Sequence, residues 1–196
     1  MMFAGGIFAI IVAMNTKKDK RTVVVGVTGS IAAYKACELV RLFMKNGDDV
    51  HVVMTDHAKA FVTPLTFQTL SRNPVQSELF DRPEDWRPGH ISLAEAADLV
   101  VVAPATANIL AKMAQGIADD LLSSILLATR APVLVAPAMN EGMYLNAATQ
   151  ANLATLRTRG VVFVEPGEGE LACGTTGVGR LADPAEIFSV AHALRS

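Results

Sequence analysis

The chain has 196 residues, of which 51% are apolar and 18% charged, and its formal net charge is −2. That length fits one domain with a sizeable core, and the near-neutral balance supplies no basic field for nucleic acid. The apolar excess implies elements buried on all sides, or surface covered in an oligomer.

Residues 2–14 are almost wholly apolar and precede Lys17, Lys18, Lys20 and Arg21. This run is shorter than the ~20 residues of a membrane span. Its charges follow the apolar run, whereas a signal peptide carries them in front. Residues 1–20 therefore read as a tail outside the fold, with a weak membrane-associating segment as the alternative, and 21–196 as a single domain. Cys37 and Cys173 lie far apart with no export signal, which points to a reducing, cytoplasmic setting.

Thr22 to Val27 is a β-branched run suited to a strand buried on both faces. Thr28-Gly29-Ser30 reads as a turn with Ser30 as N-cap of a helix over 31–45, closed by Asn46-Gly47. A strand follows at 50–54, then a helix over 56–70 broken near Pro64. Residues 71–90 read as loop. A third strand, 99–103, ends at Pro104, and helices are expected over 107–115 and 120–129. A fourth strand occupies 133–136, Asn146 caps a helix over 147–159, and a fifth strand spans 161–164. Residues 165–183 read as a glycine-rich loop before a closing helix over 184–194. Alternating strands and helices predict a doubly wound parallel α/β sheet, with ligands beyond the carboxyl ends of the strands.

The strand ends are therefore where function is sought. After the first, Gly29 and Ser30 offer a close backbone approach and amides for an anion, without matching a dinucleotide or Walker loop. After the second, Thr55 can hold a sugar or phosphate oxygen, Asp56 can read a ribose, or either can simply cap a helix. After the third, Pro104, Ala105, Thr106 and Asn108 form a small polar turn that can lie against a ring system. Asp119 and Asp120 read as a capped helix start. After the fourth comes “PAMNEGMYLN”, which places Met139, Asn140, Met143 and Tyr144 at the mouth of the sheet. His90 follows Pro88-Gly89 in the expected loop, where its ring suits either proton transfer or plain solvation. His51 and His57 have no close ligating partner, so no metal site is expected. Cys37 fits a structural thiol on a helix face. Cys173, on a glycine-rich segment, fits a mobile acid-base or nucleophilic thiol better.

“PAMNEGMY” resembles the P-x-M-N-x-x-M-W signature of the flavin-containing cysteine decarboxylases. “TGSIAAYK”, “PATANILAKMAQGIADDLL”, the “GHISL” histidine and the “ACG” cysteine resemble the same family in the same order, from about residue 22 onward. Tyr144 stands where the signature has Trp. The resemblance implies a Rossmann-like or flavodoxin-like three-layer α/β/α fold and an FMN cofactor. It implies decarboxylation of 4′-phospho-N-pantothenoylcysteine to 4′-phosphopantetheine in coenzyme A biosynthesis, through a thioaldehyde and an enethiolate. The family's flavin sites lie between subunits of a trimer or of multiples up to a dodecamer. The bacterial bifunctional members carry a synthetase half that this chain lacks.

By the same resemblance His90 is the base or polar guide, and Asn140 holds the substrate carboxylate. Ala138, Met139 and Met143 shape the pocket, and Cys173 donates the last proton. Gly29, Ser30, Ile31, Thr55, Phe67, Thr106 and Asn108 are the implied FMN contacts. The alternatives are a peptidyl-cysteine decarboxylase of lantibiotic type and a non-enzymatic flavoprotein regulatory subunit.

Overall fold

The computed structural model describes residues 20–79, 89–170, 172, 174 and 176–194. In chain order the elements are β1 (Thr22–Val27), α1 (Ala33–Asn46), β2 (Asp49–Met54), α2 (Asp56–Lys59), α3 (Pro64–Ser71) and α4 (Gly89–Ala96). They continue with β3 (Leu99–Ala105), α5 (Ala107–Gln115), α6 (Leu121–Ala128), β4 (Val133–Pro137), α7 (Glu141–Tyr144) and α8 (Ala147–Thr158). The last are β5 (Val162–Phe163), β6 (Gly167–Glu170), β7 (Thr176–Arg180) and α9 (Pro184–Ala193).

Strands β1 to β5 form one parallel sheet in the order β2-β1-β3-β4-β5. Successive side chains of a strand point to opposite faces, so continuous apolar runs serve a sheet covered on both sides. Val23, Val25 and Val27 face a core with Leu39, Val40 and Phe43 of α1 and Ile187 and Ala191 of α9. Val24, Val100 and Val102 face a second core with Leu93 of α4, Ile109 of α5, Leu122 of α6 and Leu153 of α8. These are the expected three α/β/α layers. The order reverses between β1 and β3, and at their carboxyl ends such a switch leaves a crevice.

Helix α1 ends as predicted, on Gly47 with φ 89°, and Pro64 starts α3. Four expectations change. Ser30 is not the cap of α1: the helix begins at Ala33, and the Ser30 hydroxyl takes only the Ala32 amide at 3.3 Å. His90 is not in a loop but in the first turn of α4, which buried Leu93 and Ala94 hold against the sheet. The third strand continues through Pro104 to Ala105, with a register shift between Val102 and Ala105. Within the expected loop 165–183, β6 and β7 pair antiparallel as a separate hairpin. Its glycine content hid it, because glycine carries little strand propensity. Residues 1–19, including nearly all of the expected tail, lie outside the described residues.

Asp120 and Ser123 form a reciprocal capping box on α6, and Lys112 bonds both Asp119 and Asp120 at 2.6 Å. The adjacent acids are thus structural. Burial pushes the Asp120 carboxyl up, but Lys112 and the Ser123 amide and hydroxyl outweigh it and hold it below its ordinary value. A depressed folded-state value makes this contribution complete above the unfolded pKa of about 3.9 and lost as pH falls through the folded value. Asp120→Ala is expected to cost about 1 kcal/mol near neutrality and to flatten the acid limb of stability. Urea titrations at pH 7 and pH 3 check both.

Candidate functional site

The carboxyl edge of the sheet gathers residues distant in sequence. At the switch point the Thr28 hydroxyl donates to the Pro104 carbonyl at 2.7 Å and accepts from the Thr106 amide at 3.1 Å. Thr28 is 2% exposed, so this staple is shielded from water. Gly29 follows because the chain passes tightly against α2: a Cβ there would collide with His57. Thr28→Val keeps the shape but leaves a buried carbonyl and amide unpaired, and is expected to cost about 1–3 kcal/mol. A lowered urea midpoint with unchanged slope is the readout.

Two buried side-chain polar atoms among the described residues have no hydrogen-bond partner: Thr55 Oγ1 and His90 Nδ1. Thr55 occupies the N-cap position of α2, yet its hydroxyl makes no capping bond, so the simple capping reading fails for it. Asp56 instead pairs with Lys59 at 3.0 Å. His90 opens α4, and Gly89 beside it faces the Gln76 side chain. Gln76 bridges to Val53 near the end of β2. Thr55 and His90 therefore both lie at the carboxyl edge around β2. Orphaned buried groups of this kind suit a bound cofactor with polar edges. Thr106 caps α5 with a 3.5 Å bond to the Ile109 amide, and Asn108 stands exposed in the first turn of that helix. Phe67 is 0% exposed within the core. Its ring packs against α1 and β2 residues of that core.

The “PAMNEGMY” stretch ends β4 and forms the single turn α7. The Asn140 Oδ1 accepts from the Gly142 amide at 2.8 Å, which fixes the side chain as the cap of α7. Ala138 is buried, Met139 packs partly on the core, and Met143 is half-exposed. Tyr144, in place of Trp, donates to Glu165 at 3.0 Å, and Arg157 holds the other Glu165 oxygen at 2.6 Å. Burial and then Glu165 push the Tyr144 phenol above its ordinary value, so it remains a donor at neutral pH.

The hairpin docks on this turn. The Met139 amide donates to the Gly179 carbonyl at 3.0 Å, and the Val178 amide donates to Glu141 at 3.3 Å. Ser30, Ile31, Ala138, Met139 and Asn140 line one cleft of about 690 Å³, together with residues of the hairpin. Thr55, His90, Thr106, Asn108 and Met143 are not among its lining residues. Cys173 lies outside the described residues. Cys37 is a half-buried thiol whose pKa burial raises. Thr28, Glu141, Glu165 and the hairpin cation Arg180 were not singled out from the sequence. Each matters through a neighbour that only the folded chain supplies.

A flavodoxin-type strand order with small, polar strand ends defines a nucleotide-type α/β binding protein. The chain belongs to the flavoprotein family, whose model matches residues 11–196. It is 49% identical over 173 residues to the coenzyme A biosynthesis bifunctional protein CoaBC of Haemophilus influenzae, covering 88% of this chain and 43% of that one. The corresponding protein of Escherichia coli K12 is 51% identical over 173 residues, with the same 88% and 43% coverage. The chain thus spans less than half the length of these relatives. Among solved structures it resembles a PPC decarboxylase variant complexed with pantothenoylaminoethenethiol, with TM-score 0.81, 31% identity, and 89% of this chain and 97% of that one covered. It also resembles SpaF, described as an FMN-dependent cysteine decarboxylase, with TM-score 0.77, 31% identity, and 88% and 95% coverage. Among the described residues no helix is long and apolar enough to cross a membrane.

Proposed function

We propose that this chain is an FMN-dependent carboxy-lyase of the cytoplasm that converts 4′-phospho-N-pantothenoylcysteine to 4′-phosphopantetheine. The observation that carries this reading is the cleft at the carboxyl edge, where the Asn140 turn, the β1–α1 turn and the hairpin meet. The names of the relatives and of the structural neighbours agree with it. Identity near 50% to the bifunctional coenzyme A proteins favours this substrate over a peptide and over a purely regulatory role. A synthetase activity, on this polypeptide or another, completes the pathway step these relatives are named for.

FMN, when bound, would supply reversible two-electron chemistry at the cysteine carbon that bears the thiol. The chain's own residues hold and guide. Gly29, Ser30 and Ile31 give the cofactor a close backbone edge, and Thr55 supplies a hydroxyl that lacks another partner. Thr106 and Asn108 present a polar turn on the far side of the switch point. The His90 ring serves as the base for the substrate thiol. Asn140, whose Oδ1 accepts from the Gly142 amide, meets the substrate carboxylate through its NH2 group. Ala138, Met139 and Met143 shape the apolar surroundings, which exclude water and favour loss of charge as carbon dioxide. Cys173 gives the final proton.

His90 sits on α4 of one sheet face, whereas the Asn140 cleft includes the start of α1 on the other. This division supports a site completed between subunits of a homotrimer or a multiple of trimers. The test is a visible spectrum of the purified chain, followed by incubation with 4′-phospho-N-pantothenoylcysteine and mass analysis. A yellow protein and a product lighter by carbon dioxide are expected. Cys173→Ser is expected to release a decarboxylated species two hydrogens short of the product. A protein that cannot be reconstituted with FMN would overturn the proposal.

A further inference from the structure

The cleft that contains Asn140 also carries two cations outside the roles assigned above. Lys35 comes from the first turn of α1 and Arg180 from the end of β7, and both line it. Among the described residues the other charged lining residue is Glu170, so that lining is positively biased on a chain whose net charge is −2. Burial, and next to it Arg180, lower the pKa of Lys35, while Asp183 and Glu38 oppose with smaller effects. Arg180 is thus the charge that Lys35 feels most. Like charges held together oppose each other's ionised form, and an anion between them reverses that cost. The N-terminal end of α1 faces the same cleft through Ser30, Ile31 and Ala32, with no acidic residue in its first turn and no side chain capping it. Its amides add to a field that favours a dianion.

We infer that Lys35 and Arg180 form the subsite for the phosphate monoester of the substrate, and so select a phosphorylated pantothenoyl chain over a peptide. This inference rests on the function proposed above. A phosphate monoester could also belong to the flavin. Ser30 and Ile31 of the implied cofactor edge line this cleft too, but Thr55, Thr106 and Asn108 lie outside it, whereas Lys35 and Arg180 share it with Met139 and Asn140, which favours the substrate as occupant. Arginine supplies paired donors in a plane that matches phosphate, and lysine adds a point charge.

The test compares kcat/KM for 4′-phospho-N-pantothenoylcysteine and for N-pantothenoylcysteine on the FMN-loaded enzyme. The parent is expected to prefer the phosphorylated substrate. Lys35→Ala and Arg180→Ala are each expected to lower that preference about 10- to 100-fold, chiefly through KM. Arg180→Lys is expected to retain an intermediate preference, since it keeps the charge but not the paired donors. Retained flavin absorbance shows that the variants are folded and loaded. An unchanged preference, or an equal loss on both substrates, overturns the subsite. Loss of FMN from both alanine variants also overturns it and gives the pair to the cofactor's phosphate. A parent that turns over neither substrate overturns the proposed function itself, a result distinct from all of these.

Discussion

Asn140→Asp is expected to lower kcat/KM for decarboxylation about 10²–10³-fold, with FMN still bound and the melting temperature nearly unchanged. Aspartate caps a helix as well as asparagine does, so the bond to the Gly142 amide at 2.8 Å survives and α7 stays formed. What changes is the other end of the side chain. Two N–H donors become a carboxylate oxygen that repels the substrate carboxylate. Loss of one preorganised donor at a reacting group costs about 10²–10³ in rate, and an added like charge acts in the same direction. Asn140→Ala serves as the contrast, since it removes the cap as well and lowers both activity and stability. An Asp variant that turns over normally would remove Asn140 from the reaction.

Gly179→Ala is expected to detach the β6–β7 hairpin from the Asn140 turn. Gly179 has φ 138°, a region that side chains rarely adopt, and a Cβ there would collide with the Met139 carbonyl. Local strain of this kind costs about 1–3 kcal/mol. Relief requires breaking the bond from the Met139 amide to the Gly179 carbonyl, now 3.0 Å. Hydrogen exchange at the Met139 and Val178 amides is expected to rise sharply, with little change at the buried β1 amides. Activity is expected to fall with it, because the cleft loses one wall.

The central sheet was readable because Val23 to Val25, Leu99 to Val102 and Val133 to Val135 are runs that only a doubly covered sheet accommodates. Their order was not readable: adjacency of β1 and β3 depends on how the crossovers pack. Thr28 therefore looked like one residue of a turn, although it joins two strand ends. His90 was found as a residue but misplaced, since Pro88-Gly89 signals a loop and the helix after it is held by burial of Leu93 and Ala94. Thr55 was balanced between capping and binding, and its hydroxyl makes no capping bond. The burial of Phe67 was not readable, because a helix presents an aromatic inward or outward and residue type alone does not say which. The Asn140 motif stood out by its residue types and order, while its ordinary role as the cap of α7 emerged only with the fold.

The β6–β7 hairpin is not an edge of the main sheet but a two-stranded piece of its own, held to the Asn140 turn through Gly179 and Glu141. Such an attachment makes it a cartridge. A hairpin of different length or charge that keeps Glu165 and Cys173 is expected to be accepted between Val164 and Leu181 with the five-stranded sheet left in place. The Asn140 turn would then face a different wall, and this is where an engineer should cut.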